Sequence, residues 1–306
     1  MAALLFPPAA ALAFTPQGAP QHPAANAGLP GVTIEAARAL RRQVHHFVTA
    51  VVAPPPLHRS LLRWNTPICP LVVGLPRDWG NLILAHISQA ARDAHAPLAG
   101  TKCRPNLFVV VSAHPDSVLR QWMARDPKVD TRYGLAPLQA FLKSTLPVRE
   151  WYNPQPSCAG GVPSPSSTAA ASAIGMPYDS KHVAAAPAGG MGPTYCDNSI
   201  DTHLTYGDVR SLSYAIVVVD TNQLSQKHVN LGQLADYVSL VGLVDVQPGT
   251  DGGGAPTILR LFDAPNPPDG LTPWDRALIY SLYNTSQSSR IQLIDMEVSM
   301  TRRIAP

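Results

Sequence analysis

The chain lacks most of the local signatures by which a sequence of 306 residues announces its chemistry. It has no His-Glu-x-x-His for zinc, no Gly-x-Ser-x-Gly elbow, no Walker loop and no dinucleotide fingerprint. Gly252-Gly253-Gly254 does not lead a strand into a helix and reads as a loop. Charge is scarce: Asp, Glu, Lys and Arg make up 14% of the residues, and the formal net charge is +3. Without a dense Lys/Arg block there is no basic stripe of the kind a nucleic-acid surface needs. No run of eighteen apolar residues occurs, so no transmembrane segment is expected. None of the four cysteines lies in a Cys-x-x-Cys spacing, which argues against a structural zinc site. No cofactor or metal is implied.

What is present is apolar and rich in loops. Apolar residues reach 45%, beside 32 prolines and 21 glycines, enough for a globular chain with a sizeable core. Residues Met1 to Ala13 are almost wholly apolar and end in Ala11-Leu12-Ala13, a small-x-small cleavage pattern, although the usual basic start is missing. They read as a signal remnant, and Phe14 to Gly31 as a disordered lead-in, so residues 1–31 are set apart from a single domain at 32–306. An export signal and an even cysteine count support each other. The preferred pairing is Cys69 with Cys103 and Cys158 with Cys196; four buried free thiols in a cytosolic protein are the alternative.

Hydrophobic periodicity predicts helices over Thr33–Val52, with Thr33 as cap, and over Asp78–Ala94, with Leu82, Ile83, Ile87, Ala90 and Ala91 on one face. Strands are expected at Leu71–Val73, at Asn106–Ser112 as a doubly buried run, at Val148–Tyr152 and at Leu212–Asp220. Helices are expected at Pro115–Ala124 and Leu135–Lys143, and an amphipathic segment at Ile291–Arg303. From Asn153 to about Asp197 the chain is rich in Gly, Pro, Ala and Ser and reads as a surface insertion, tied at its base by Cys158 and Cys196. The order predicts an α+β fold: a single mixed sheet flanked by helices.

Two late helices are well specified. In the first, over Leu231–Val241, Asn230 and Gln233 form a capping box and Gly242 supplies a stop. In the second, Thr272, Pro273 and Asp275 take the N-cap, N1 and N3 positions, which makes Asp275 structural. Polar candidates are few. Asp236 and Tyr237 lie on the first helix. His114 follows a buried strand, and Asp220 ends another, facing a cleft or capping Thr221-Asn222. Arg63-Trp64 suits a cation–π or stacking contact, or packing beside a disulfide; Trp274 suits a core anchor or a pocket wall. The ten histidines are scattered, and adjacent His45-His46 point about a third of a turn apart, which is poor for chelation.

Several segments resemble a family of uncharacterised, exported bacterial proteins, seen mainly in proteobacteria. They are Arg63-Trp64-x-x-Pro67-x-Cys69-Pro70-x-x-x-Gly74-Leu75, Cys103-x-Pro105-Asn106, Leu234-Ala-Asp-Tyr237 with Gly242-Leu243, and Thr257-Ile-Leu259 through Trp274-Asp275 to Leu282-Tyr283. More distantly, the late layout is similar to zinc-peptidase-like bacterial proteins carrying His-Glu-x-x-x-Gln-x-Leu-Gly-Leu. Setting Gly242-Leu243 on their Gly-Leu puts Leu234 at the histidine, Ala235 at the glutamate and Ser239 at the glutamine. What that likeness implies is a zincin-like layout without its metal ligands, and no catalytic residue carries over.

The expectation is a periplasmic or secreted, disulfide-bonded protein that binds or supports something in the cell envelope, its partner unknown, an envelope protein or a peptide being suitable. The rival is a hydrolase assembled from His114, Asp220 and Asp236. A third reading is a zinc enzyme using dispersed histidines such as His203 and His228.

Overall fold

The computed structural model describes residues 30–55, 60–125, 135–158, 208–287 and 291–305. The signal-like segment, the lead-in to residue 29 and residues 159–207, with Cys196 and His203, lie outside them, as does the Cys158–Cys196 pairing. Helix α1 spans Pro30–Val51. It begins ahead of the expected cap, so Thr33 is a helical residue. A proline suits a first helical turn because its missing amide would have no partner there. Val44, Phe47, Val48 and Val51 are its buried face.

The sheet is assembled from β1 (Pro70–Val73), β2 (Leu107–Ser112), β3 (Val148–Cys158) and β4 (Asp208–Asp220) in the order β1-β2-β4-β3. The first three in that order run parallel and β3 is antiparallel to β4. This single open, mixed sheet flanked by helices is the expected α+β architecture. Gly74 turns the chain out of β1 at φ 90°, and a Cβ there would meet the Val111 carbonyl oxygen at 1.9 Å, so only glycine fits. Cys69, just before β1, is disulfide-bonded to Cys103 in the approach to β2, as expected.

The first residues assigned to the insertion by composition are strand rather than loop. Asn153 to Cys158 continue β3, paired with β4 through a register shift at Asn153/Pro154. Pro154 and Pro156 are tolerated because β3 is an edge strand and proline has no ladder donor to lose on its free side.

Helix α2 (Arg77–Asp93) buries Ile83, Ile87, Ala90 and Ala91; Leu82 lies off that face, 36% exposed. Helices α3 (Pro115–Arg125) and α4 (Leu135–Lys143) cover the opposite side of the sheet. There Leu119, Leu138 and Phe141 pack on Trp151, Ile216 and Val218. The larger core lies under the other face, where Leu107, Val109, Val217 and Val219 meet α1, α2 and the C-terminal elements. Those elements are α5 (Thr221–Leu224), α6 (Leu231–Leu243), a 3-10 turn at Ile258–Arg260, α7 (Pro273–Asn284) and α8 (Gln292–Ile304).

Helix α6 is buried nearly all round, which fits its apolar sequence. Its Asn230/Gln233 capping box forms as expected. Gly242 is not its stop: the helix runs on to Leu243, and the missing side chain makes room for Leu107 of β2, whose Cδ2 would lie 3.1 Å from a Cβ. Because this C-terminus is buried, water cannot satisfy its last carbonyls. The Trp64 indole N–H donates to Gly242 O at 2.9 Å and the Tyr283 hydroxyl to Leu243 O at 2.8 Å. The Tyr152 hydroxyl lies 2.7 Å from Val241 O and 2.9 Å from Val244 O. Burial pushes both tyrosine hydroxyls above their usual range, so they stay protonated donors. Tyr283→Phe, which strands a buried carbonyl, is expected to cost about 1–3 kcal/mol in urea unfolding. Tyr280→Phe, on the same helix with its ring against Arg303, is expected to cost well under half of that.

Candidate functional site

Strand β3 alternates across the sheet, so its charged residues Arg149 and Glu150 face opposite ways. Arg149 turns toward α4. Its Nη1 donates to the carbonyls of Leu142 and Ser144, each at 3.0 Å, and its Nη2 to Asp116 Oδ1 at 2.7 Å. A guanidinium at the negative end of α4, paired with an acid in the first turn of α3, is a structural clasp between those helices. Glu150 turns to the same side as Val148 and Tyr152, both packed into the larger core. It is 9% exposed, and its Oε2 is buried with no hydrogen-bond partner.

Two more charged groups reach this region from distant parts of the sequence. Asp245 follows the C-terminus of α6 and is held by its carbonyl, which accepts from Ala53 N at 3.0 Å, and by the Val52–Val246 bridge to the end of α1. Arg210, near the start of β4, is fixed through its backbone N–H to Ser60 Oγ at 2.8 Å. Its Nε is buried without a partner. These groups open into one cavity of about 430 Å³ along the free edge of β3. Ala53, Pro54, Leu62, Phe141, Trp151 and Val246 form much of its apolar wall. A mostly apolar cavity with a few converging polar groups is the usual form of a small-molecule site.

Both acids hold their protons unusually tightly. Burial, reinforced by the nearby Asp245 charge, raises the Glu150 carboxyl to about 8. Asp245 keeps some surface exposure, but protein encloses its carboxyl; that burial raises it to about 7, against the pull of Arg210. Its place just beyond the negative end of α6 acts in the same direction as burial. Near neutral pH the site therefore contains a cationic guanidinium, a neutral Glu150 and an Asp245 close to half ionised.

A second cavity of about 430 Å³ lies between α1 and the Gly253–Gly254 loop, with Arg42, His46 and Trp274 on its walls. Arg42 and His46 are exposed, and among the described residues no buried, unpartnered polar atom lies in its lining, so it carries less chemistry.

The residues singled out from the sequence lie elsewhere. His114 is exposed at the end of β2; its N–H donates to Ser112 Oγ and its carbonyl accepts from Ser117 N. Asp220 caps α5, accepting from Asn222 N at 2.9 Å and Gln223 N at 3.4 Å. The two strand ends are neighbours, and the Asn222 side-chain amide closes the gap between them by donating to Ala113 O at 2.6 Å. Asp236 joins neither. Its Oδ1 lies 2.6 Å from His86 Nδ1 on α2, a histidine not singled out from the sequence, and its Oδ2 accepts from Leu271 N at 2.9 Å. That His–Asp pair ties α2 to α6 and to the approach to α7. Arg63 does not stack on Trp64: its Nη1 donates to Leu282 O at 2.7 Å and Thr285 O at 3.1 Å, capping α7. Trp64 is a core residue, as is Tyr237, whose ring packs 4.8 Å from that of Phe262. Trp274 stacks edge-on to Phe47 at 5.4 Å and also lines the second cavity. Asp275 caps α7 and accepts from Thr257 Oγ1 and Ile258 N, pinning the 3-10 turn, the structural role expected of it. His228 is exposed, and among the described residues no three His, Cys, Asp or Glu side chains converge as a metal ion would need.

Sequence reading missed Glu150, Arg210 and Asp245. The available signal was faint: an Arg-Glu pair inside a strand otherwise bound for the core, and a lone aspartate between Val244 and Val246. No known protein family, curated protein or solved structure matches the chain.

An acid whose folded pKa exceeds its ordinary value favours the native state below that ordinary value, and the advantage is lost as pH rises through the folded one. For Glu150 the window runs from about 4.5 to about 8. Urea unfolding is expected to show stability falling from about pH 5 to about pH 8. In Glu150→Gln the fall is expected to be shallower by up to about 1.4 kcal/mol per pH unit. Parallel profiles for the two proteins would contradict a buried, neutral Glu150.

Proposed function

We propose that the protein binds a small, mostly apolar ligand in the cavity along the β3 edge, and that it does so outside the cytoplasm. The observation that carries this reading is the combination of apolar walls with Glu150 Oε2 and Arg210 Nε, buried and without partners. Buried polar atoms without partners cost about 1–3 kcal/mol each, a cost that a ligand able to bond them relieves. The Cys69–Cys103 disulfide supports an oxidising compartment, the periplasm or the exterior. No helix among the described residues is long and apolar enough to cross a membrane. Membership of an exported, proteobacterial family with a zincin-like, metal-free layout is part of the same proposal and rests on the motifs quoted above.

Ala140 lines the cavity from α4 and is exposed, so a bulky side chain fits there without disturbing the core. Octan-1-ol serves as a neutral amphiphilic probe, its binding read by titration calorimetry. Wild type is expected to bind it, and Ala140→Trp to lose binding by at least about tenfold, the factor that corresponds to 1.4 kcal/mol. The variant's unfolding midpoint should be unchanged. Equal binding by the two proteins would place the probe, and the function, elsewhere.

One observation favours a second reading, a hydrolase: two carboxyls raised toward neutrality in one cavity suit general acid–base work. Turnover of p-nitrophenyl octanoate by wild type, abolished in Asp245→Asn, would put this reading first.

A further inference from the structure

We propose that the cavity along β3 selects a singly charged, amphipathic carboxylate, seated on Arg210 with its apolar body along the free edge of the strand, and that Asp245 and Glu150 release it as they ionise. This rests on the ligand-binding reading of the cavity and names the chemistry of its ligand. Arg210 supplies the recognition. Of the two described cations in the lining, Arg149 has both terminal nitrogens committed to the α4 carbonyls and Asp116, with its Nε alone unpartnered, whereas among the described residues the Arg210 guanidinium donates to none. Arg210 Nε is buried and without a partner, so an oxyanion ligand gives it the charge-assisted bond it lacks.

The apolar part of the ligand follows from the walls, to which Pro137, Phe141, Leu146 and Val246 contribute hydrocarbon. Hydrocarbon there gains by leaving water, at roughly 25 cal/mol per Å² of area buried.

The release follows from the groups that face the site on every side. These are Arg210 on β4, Asp245 after α6, Glu150 and Tyr152 on β3, Tyr237 on α6, and Arg149 from the other face of β3. The two tyrosines, pushed up by burial, stay neutral. Arg149 and Asp116 offset each other. Among the described groups facing the site, Asp245 and Glu150 are the ones that change charge near neutral pH. Below that range the cavity presents one net positive charge and attracts an anion. Above it, ionised Asp245 competes for Arg210, ionised Glu150 adds repulsion, and the net charge becomes negative.

The test titrates the full chain with octanoate, octylammonium and octan-1-ol at about pH 6 and about pH 9, one unit outside the two raised values. Octanoate is ionised and octylammonium charged at both. Octanoate is expected to bind best at pH 6 and to weaken by about tenfold or more at pH 9. Octanol is expected to change little. Arg210→Gln should lose octanoate while keeping octanol, and Asp245→Asn should lose less octanoate affinity between pH 6 and pH 9 than wild type does, the remaining loss coming from Glu150. Because Asp245→Asn preserves shape, it tests the proposal even where Arg210→Gln does not fold. A preference for octylammonium, an octanoate affinity independent of pH, or an unchanged pH response in Asp245→Asn overturns the anion proposal and leaves the cavity reading standing. Failure of all three probes to bind removes both.

Discussion

Most of this architecture depends on a helix C-terminus that has no access to water. Helix α6 is buried along its length, and its last carbonyls need donors that only other elements can bring. Trp64 comes from the segment before β1, Tyr152 from β3 and Tyr283 from the end of α7. Three aromatic side chains, each apolar in body and polar at one tip, therefore dock three separate parts of the fold onto one point. Arg63 and Arg149 repeat the device on a smaller scale, each placing a guanidinium over the final carbonyls of another helix, α7 and α4. Two of the chain's few charged side chains are thus spent on ending helices inside protein.

The candidate site is a consequence of that constraint. Closing α6 with side-chain donors sends the chain directly into Val244-Asp245-Val246, and the bridge from Val52 to Val246 fixes Asp245 beside the edge of β3. Tyr152 must face α6, and strand alternation puts Glu150 on the same side, two residues earlier. The acid is thus held in a place chosen by its neighbour's role, and its Oε2 has no hydrogen-bond partner there. Asp275, which is also buried, shows the contrast: four donor groups, the Thr257 and Thr272 hydroxyls and the Ile258 and Thr272 amides, surround its carboxylate. One buried acid is satisfied and structural. The other is exposed to a cavity, with a proton it can exchange.

Much of the fold was legible where the cause was local. The capping boxes at Asn230 and Thr272, the buried run of β2, and the extents of α3 and α4 all follow from residues a few positions apart. Errors arose where a residue's meaning came from a distant contact. Pro154 and Pro156 looked like loop and proved to be strand, because nothing local reveals that β3 is an edge. Gly242 looked like a stop and proved to be a point of close approach to Leu107. Asp236 drew attention as a lone acid on a well-specified apolar helix, yet its partner, His86, lies on α2.

The sequence by itself determined the main helices and strands, their order and the α+β class, since periodicity, capping and turn chemistry act over a few residues; the Cys69–Cys103 bridge, 34 residues apart, was only a preferred pairing until the fold brought the two together. It also determined that no familiar motif would name the chemistry. Only the tertiary structure decided which charges are spent and which are free. That distinction depends on what surrounds each group, and burial is a property of packing rather than of neighbours along the chain. Glu150, Arg210 and Asp245 are ordinary surface-type residues in the sequence; enclosure along the edge of β3 is what shifts the two acids upward and leaves the Nε of the arginine without a hydrogen-bond partner.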